Sequence, residues 1–266
     1  LFDVVLHPQF AANQTLYLTY SSGTEDANHT TVMRARFDGA ALVDGQVIFQ
    51  AVPDKDTVQH YGARMTFIAD GTFLLTIGDG FEYREKAQAL DSLLGKVVRL
   101  NDDGSVPADN PFVGREGARP EIYTYGHRNE QGIFFDAVTG RVYEQEHGPR
   151  GGDEINILAA GKNYGWPAIT YGVDYSGAVI TPYTELPGME QPMLYWKPSI
   201  APSGIVVYRG ALFPAWQGDI FNGALAAKHV RRVDLDDSGA VVGQEELFGE
   251  LDQRIRDVRE APDGSI

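Results

Sequence analysis

His60, in the stretch QHYGARM, and Asp79, in LLTIGDG, stand nineteen residues apart, a separation that lets one hairpin return the carboxylate to the imidazole. A carboxylate beside a histidine fixes its tautomer and stabilises the imidazolium, which is the usual equipment of a general base. A surface histidine and an unrelated turn aspartate would show the same spacing, so both readings stand at this level. No G-x-S-x-G elbow accompanies the pair, so serine hydrolysis has no support.

A second group lies in YTYGHRNEQG, Tyr123 to Gly132. Arg128, Asn129 and Gln131 place a guanidinium and two amides within four residues, donors suited to a flat ligand bearing carboxylate or quinone oxygens. A polar loop satisfying its own backbone is the competing reading. The third group is EHGPRGGDEIN. A bent backbone at Gly148 and Pro149 offers carbonyl oxygens, and Glu146, Asp153 and Glu154 add carboxylates, an oxygen set that suits Ca²⁺ although it lacks EF-hand spacing. An acidic turn without a metal would read the same way.

The elements that position these groups are strands. Leu16–Tyr20 and Phe73–Ile77 are runs of β-formers, and Asp-Gly pairs at 38, 44, 70, 103 and 263 carry hairpin turn chemistry. Turn-plus-strand groups recur every ~40 to 60 residues, the pattern of propeller blades and also of a two-sheet sandwich. The one helix expected is short, Glu82 to Leu94. Pro- and Gly-rich connections at 106–120, 162–172 and 181–204 are long enough to be functional. None reads as a linker, so residues 1–266 are expected to form a single domain.

Composition narrows the function class. There are 22 Lys and Arg against 37 Asp and Glu, a formal net charge of −15, which argues against nucleic acid or a polybasic membrane surface as partner. No apolar run reaches the ~18 to 20 residues of a membrane span. Cysteine is absent, which excludes disulfides and thiol chemistry.

Taken in order, GARMTF, LLTIGDG, LLGKVVRLNDDGSVPADNPF, YTYGHRNEQG, EHGPRGGDEIN, NYGWP, SIAPSG and RIRDVREAPDG resemble the glucose/sorbosone dehydrogenase family, in particular its soluble aldose sugar dehydrogenases that use pyrroloquinoline quinone (PQQ). The resemblance implies an all-β, six-bladed β-propeller, here expected to be truncated at both ends, with PQQ and Ca²⁺ as cofactors. It makes His60 the general base, Asp79 its orienting partner and Arg128 the contact to the quinone oxygen. It makes Asn129, Gln131, Arg254 and Arg256 further cofactor contacts. The carbonyls of Gly148 and Pro149 match metal ligands, and Asp153 an acidic residue near the ion.

Two positions depart from the family pattern. The family's cofactor lysine falls at Ala226, with Lys228 two residues on, an i+2 displacement expected to keep the strand face. A tryptophan that some members set against the cofactor ring falls at Lys197, beside Trp196, leaving ring stacking unassigned. The implied reaction is oxidation of the anomeric hydroxyl of an aldose to a lactone, with an external electron acceptor and a periplasmic or secreted setting. The alternative is a non-catalytic, calcium-binding recognition module on the same scaffold. The joint presence of His60, Asp79, Arg128, Asn129, Gln131, Arg254 and Arg256 favours the enzyme.

Overall fold

A computed structural model describes residues 1–266. The chain divides into two compact units. The first comprises Leu1–Glu130, Ala159–Ile169 and Glu185–Glu190, and the second Gln131–Leu158, Thr170–Thr184 and Gln191–Ile266.

Sixteen strands form four sheets of four. In the first unit, β1 (Asp3–Leu6), β2 (Thr15–Thr24), β3 (Ala27–Phe37) and β4 (Leu42–Gln50) make one antiparallel meander, with the single-turn helix α1 (Phe10–Asn13) between β1 and β2. A second meander follows from β5 (Met65–Phe67), β6 (Phe73–Ile77), β7 (Lys96–Leu100) and β8 (Ile122–Tyr125). Tyr17, Val32 and Phe49 from the first sheet pack with Phe73, Leu75, Ile77, Val98, Leu100 and Ile122 from the second in one apolar core. Both faces of β6 and β7 are buried, so neither strand alternates apolar with polar, and their polar members Thr76, Lys96 and Arg99 are buried with the rest.

The second unit repeats the plan. Its sheets are β9 (Glu130–Asp136), β10 (Arg141–Glu146), β11 (Asp153–Leu158) and β12 (Leu194–Trp196), then β13 (Pro202–Val207), β14 (Ile220–Ala224), β15 (Val230–Leu235) and β16 (Val241–Leu247). Tyr143, Ile155 and Trp196 from one sheet meet Ile205, Val207, Ile220 and Val233 from the other.

Three local expectations are corrected. The helix expected over Glu82–Leu94 is reduced to one 3₁₀ turn, Arg84–Ala87. The carbonyls that would carry a longer helix are taken by other donors, since buried Lys96 donates through Nζ to the carbonyls of Lys86 (2.8 Å), Ala87 (3.0 Å) and Leu94 (2.8 Å). Asp44-Gly45 is not a hairpin turn. It lies inside β4, where Asp44 adopts φ 56° and the β3–β4 register shifts, so the pair makes a bulge. Ala226 and Lys228 are not on a strand but in the connection between β14 and β15, with Lys228 at φ 57°. The strand-face argument linking those two positions therefore fails.

Candidate functional site

Asp79 lies two residues beyond the end of β6, after Gly78, and His60 lies in the irregular segment before β5. His60 adopts a left-handed backbone at φ 49°, a conformation that costs a non-glycine residue energy and that the surrounding structure must hold. Gly78 makes the approach possible, because a β-carbon there would collide with the His60 carbonyl. The LLTIGDG motif thus brings the two functional groups together. His60 Nδ1 lies 2.7 Å from Asp79 Oδ1.

The rest of the Asp79 carboxylate is also saturated with donors. Phe81 N–H donates to Oδ1 at 2.8 Å and the Trp166 indole N–H to Oδ2 at 2.8 Å. With Nδ1 facing a carboxylate, the neutral imidazole carries its proton there and leaves Nε2 as an acceptor. Burial holds the His60 pKa below its ordinary value, the Asp79 hydrogen bond and charge oppose this, and Arg128 and Lys55 reinforce it. The product is a neutral base at neutral pH, with 11% of its side chain exposed.

Arg128 is drawn to the same place through its backbone, whose carbonyl accepts from Asp79 N–H at 2.8 Å. Its guanidinium is buried and sits over the Trp166 ring, 5.3 Å from the centroid. Asn129 is buried nearby, its Oδ1 3.2 Å from where a β-carbon on Gly78 would lie. His60, Asp79, Arg128 and Asn129 are therefore gathered in the first unit. His127, from the same stretch, instead stacks on Tyr164 and pairs with Thr124 Oγ1 at 2.8 Å. Trp166 is the participant that the residue-by-residue reading did not assign; its only signal was the NYGWP motif.

In the second unit, EHGPRGGDEIN folds onto itself. A β-carbon on Gly148 would strike Gly151 and Gly152, and one on Gly172 would strike Gly151 and reach Pro149, so only glycine permits this packing of main-chain oxygens. Asp153 braces the loop. Its Oδ1 accepts from Gly148 N–H (2.9 Å), its Oδ2 from Ile200 and Ala201 N–H (2.8 and 2.9 Å), and Ser199 Oγ approaches both oxygens. The donor set is all oxygen and hard, which suits Ca²⁺, and Asp153 stands behind the carbonyl-bearing turn as its anchor.

Arg254 and Arg256 are exposed and form no ion pair, while Ile255 between them packs on the cluster of Val206, Tyr208, Phe221, Val230 and Val258. The Arg256 carbonyl is held by Ser203 Oγ at 2.7 Å. Two uncommitted guanidiniums on an anchored backbone suit an anionic ligand with carboxylates. Lys228 is engaged with Asp252, Nζ to Oδ1 2.8 Å. Gln131 is half-buried on β9. Trp196 is committed to the core, its indole N–H bonded to Gln244 at 2.7 Å, and Lys197 Nζ reaches the Tyr171 carbonyl. Neither is placed to act as a free stacking platform.

A family model described as Glucose / Sorbosone dehydrogenase matches residues 1–266. The chain belongs to the glucose/sorbosone dehydrogenase family. It is 42% identical over 271 residues to "Aldose sugar dehydrogenase YliI" of Escherichia coli (strain K12), covering all of this chain and 72% of that protein. Among solved structures, one titled "Crystal structure of glucose dehydrogenase" matches with a TM-score of 0.95 and 43% identity, over 98% of this chain and 76% of the other. A "PQQ-bound form of Aldose Sugar Dehydrogenase (Adh) from Streptomyces coelicolor" matches with a TM-score of 0.76 and 26% identity, over 96% of this chain and 69% of that one. The fold is that of these all-β sugar dehydrogenase propellers. The chain spans 66% of the first curated relative it matches. No helix is long and apolar enough to cross a membrane.

Proposed function

We propose that this chain carries the catalytic machinery of a PQQ- and Ca²⁺-dependent aldose dehydrogenase that oxidises the anomeric hydroxyl of a sugar to the lactone. The observation that carries the reading is the buried His60–Asp79 pair with Arg128 drawn to the same strand end. PQQ, when bound, supplies the two-electron acceptor, and Ca²⁺ supplies positive charge beside it.

Within this reading His60 Nε2 removes the hydroxyl proton as the anomeric hydrogen departs with its electron pair, and Asp79 stabilises the imidazolium that forms. Arg128, desolvated and fixed over Trp166, presents positive charge where negative charge develops. Asn129 and Gln131 would orient the cofactor and Arg254 and Arg256 would hold its carboxylates, with Lys228, paired with Asp252, a further contact the family pattern suggests. The carbonyls of Gly148 and Pro149 hold Ca²⁺, with Asp153 fixing their turn. The four sheets belong to a six-bladed ring in which residues 1–266 act as one domain. An external acceptor reoxidises the cofactor, and the setting is periplasmic or secreted.

The test is to mix the purified chain with PQQ and CaCl₂ and follow dye reduction over a panel of aldoses. Reduction that requires sugar, PQQ and calcium together is the expected result. PQQ binding without turnover on any aldose would favour the non-catalytic recognition module.

A further inference from the structure

Trp166 lies 87 residues from Asp79 in sequence, yet its indole N–H donates to Asp79 Oδ2 at 2.8 Å in a buried contact. Indole nitrogen is a donor only, so the contact has one sense: it serves the carboxylate and offers nothing to a carboxylic acid proton. Oδ1 takes His60 Nδ1 and Phe81 N–H. The donor on Oδ2 therefore fixes the plane of the carboxylate, and with it the direction from which Oδ1 meets the imidazole.

The backbone that carries the ring is fixed on both sides. The Trp166 main-chain N–H donates to the Gly126 carbonyl at 2.9 Å. Gln88 Nε2 donates to the Trp166 carbonyl at 2.7 Å, while Gln88 and Asn163 exchange amide hydrogen bonds of 3.0 and 2.8 Å. On its face the ring carries the Arg128 guanidinium, 5.3 Å from the centroid, a desolvated cation–π contact. One side chain thus touches both the partner of the base and the buried cation.

We infer that Trp166 is a positioning residue that orients the Asp79 carboxylate toward His60 and supports Arg128. The inference rests on the oxidation reading for its catalytic consequence, but the orientation itself is a property of the chain without cofactor. Trp166→Phe keeps the ring and removes the N–H. A second variant, with 3-benzothienylalanine at position 166, replaces N–H by sulfur at nearly constant shape and covers the case in which the phenylalanine protein does not fold.

The first measurement is ¹⁵N histidine NMR of the apoprotein across pH. In the parent, His60 is expected as the single Nδ1–H tautomer; in either variant, a tautomer mixture and a displaced titration midpoint are expected, with Asp79, Arg128 and Lys55 still facing the ring. The second is turnover of the reconstituted protein. The variants should lose about tenfold or more in kcat, with KM and PQQ affinity changed less than about threefold, and should lose nothing further in an Asp79→Asn background, because the residues act as a unit. A variant with the parental His60 tautomer and midpoint, or one whose loss adds fully to that of Asp79→Asn, would overturn the inference. If the parent itself oxidises no aldose, the oxidation reading fails while the NMR result still decides the role of Trp166.

Discussion

His60 Nδ1 and Asp79 Oδ1 lie 2.7 Å apart, with the aspartate only 1% exposed, so the imidazole has one proton direction fixed and one nitrogen left to work. His60→Ala should leave PQQ and Ca²⁺ binding nearly intact while lowering kcat by about 10²- to 10⁴-fold. Asp79→Asn should act on the same proton transfer, with the double variant little worse than the more damaging single one. Steady-state kinetics alongside PQQ titration checks both; a fully active His60→Ala protein would mean that another group takes the proton.

The pH profile should carry the signature of the same group. Because burial, Arg128 and Lys55 hold the His60 pKa below its ordinary value of 6.5, kcat/KM should rise with pH through an acid limb centred below that pH. For folding, the sign follows from proton counts: below 6.5 the unfolded chain binds more protons than the native one, so this contribution to stability is present above 6.5 and is lost as pH falls through the lowered native value. An acid limb centred above 6.5 would contradict the burial of a neutral base.

Arg254 and Arg256 make a separable prediction, since neither is tied up in an ion pair. Replacing either by Ala should weaken PQQ binding about ten- to a hundredfold, the effect of losing a charged hydrogen bond, with little change in thermal stability of the apoprotein. Unchanged affinity in both variants would remove them from the cofactor site.

Lys96 tests the scaffold rather than the chemistry. Its ammonium is fully buried among three carbonyls, and burial pushes its pKa down to about 7 from 10.5. Lys96→Met should leave buried acceptors without a donor and lower stability by about 2 kcal/mol or more. Between pH 7 and 10.5 the unfolded lysine holds a proton that the native one has released, so stability rises with pH across that window. The methionine variant should lose that slope in urea titrations. Retention of the slope would assign it to another group.

The strands were legible because β-rich runs bounded by Asp-Gly turns are local signals. The His60–Asp79 pair was legible because a hairpin separates its members, and the resemblance of ordered motifs suggested the roles proposed for them. What escaped the sequence depends on distant partners. The helical pattern of Glu82–Leu94 was overridden by one lysine on β7 that captures the carbonyls a helix needs. Asp44-Gly45 carries the same dipeptide signal as a hairpin turn but forms a bulge. The contact of Trp166 with Asp79 spans 87 residues, and Lys228 lies four residues beyond the end of β14 at Ala224, so neither position carries a local signal of its surroundings.

The strand order of each sheet follows the order of the chain. The longest pairing, between β2 and β3, runs over ten registered positions and closes through Glu25 and Asp26. The β1–β4 sheet, whose connections are all short, can therefore nucleate from adjacent segments with small loop-closure entropy, whereas β11 and β12 must pair across the connection 159–193. During synthesis the β2–β3 hairpin can pair as soon as its residues emerge, and later meanders can follow in sequence, limiting the time that unpaired strand edges stay exposed to other chains.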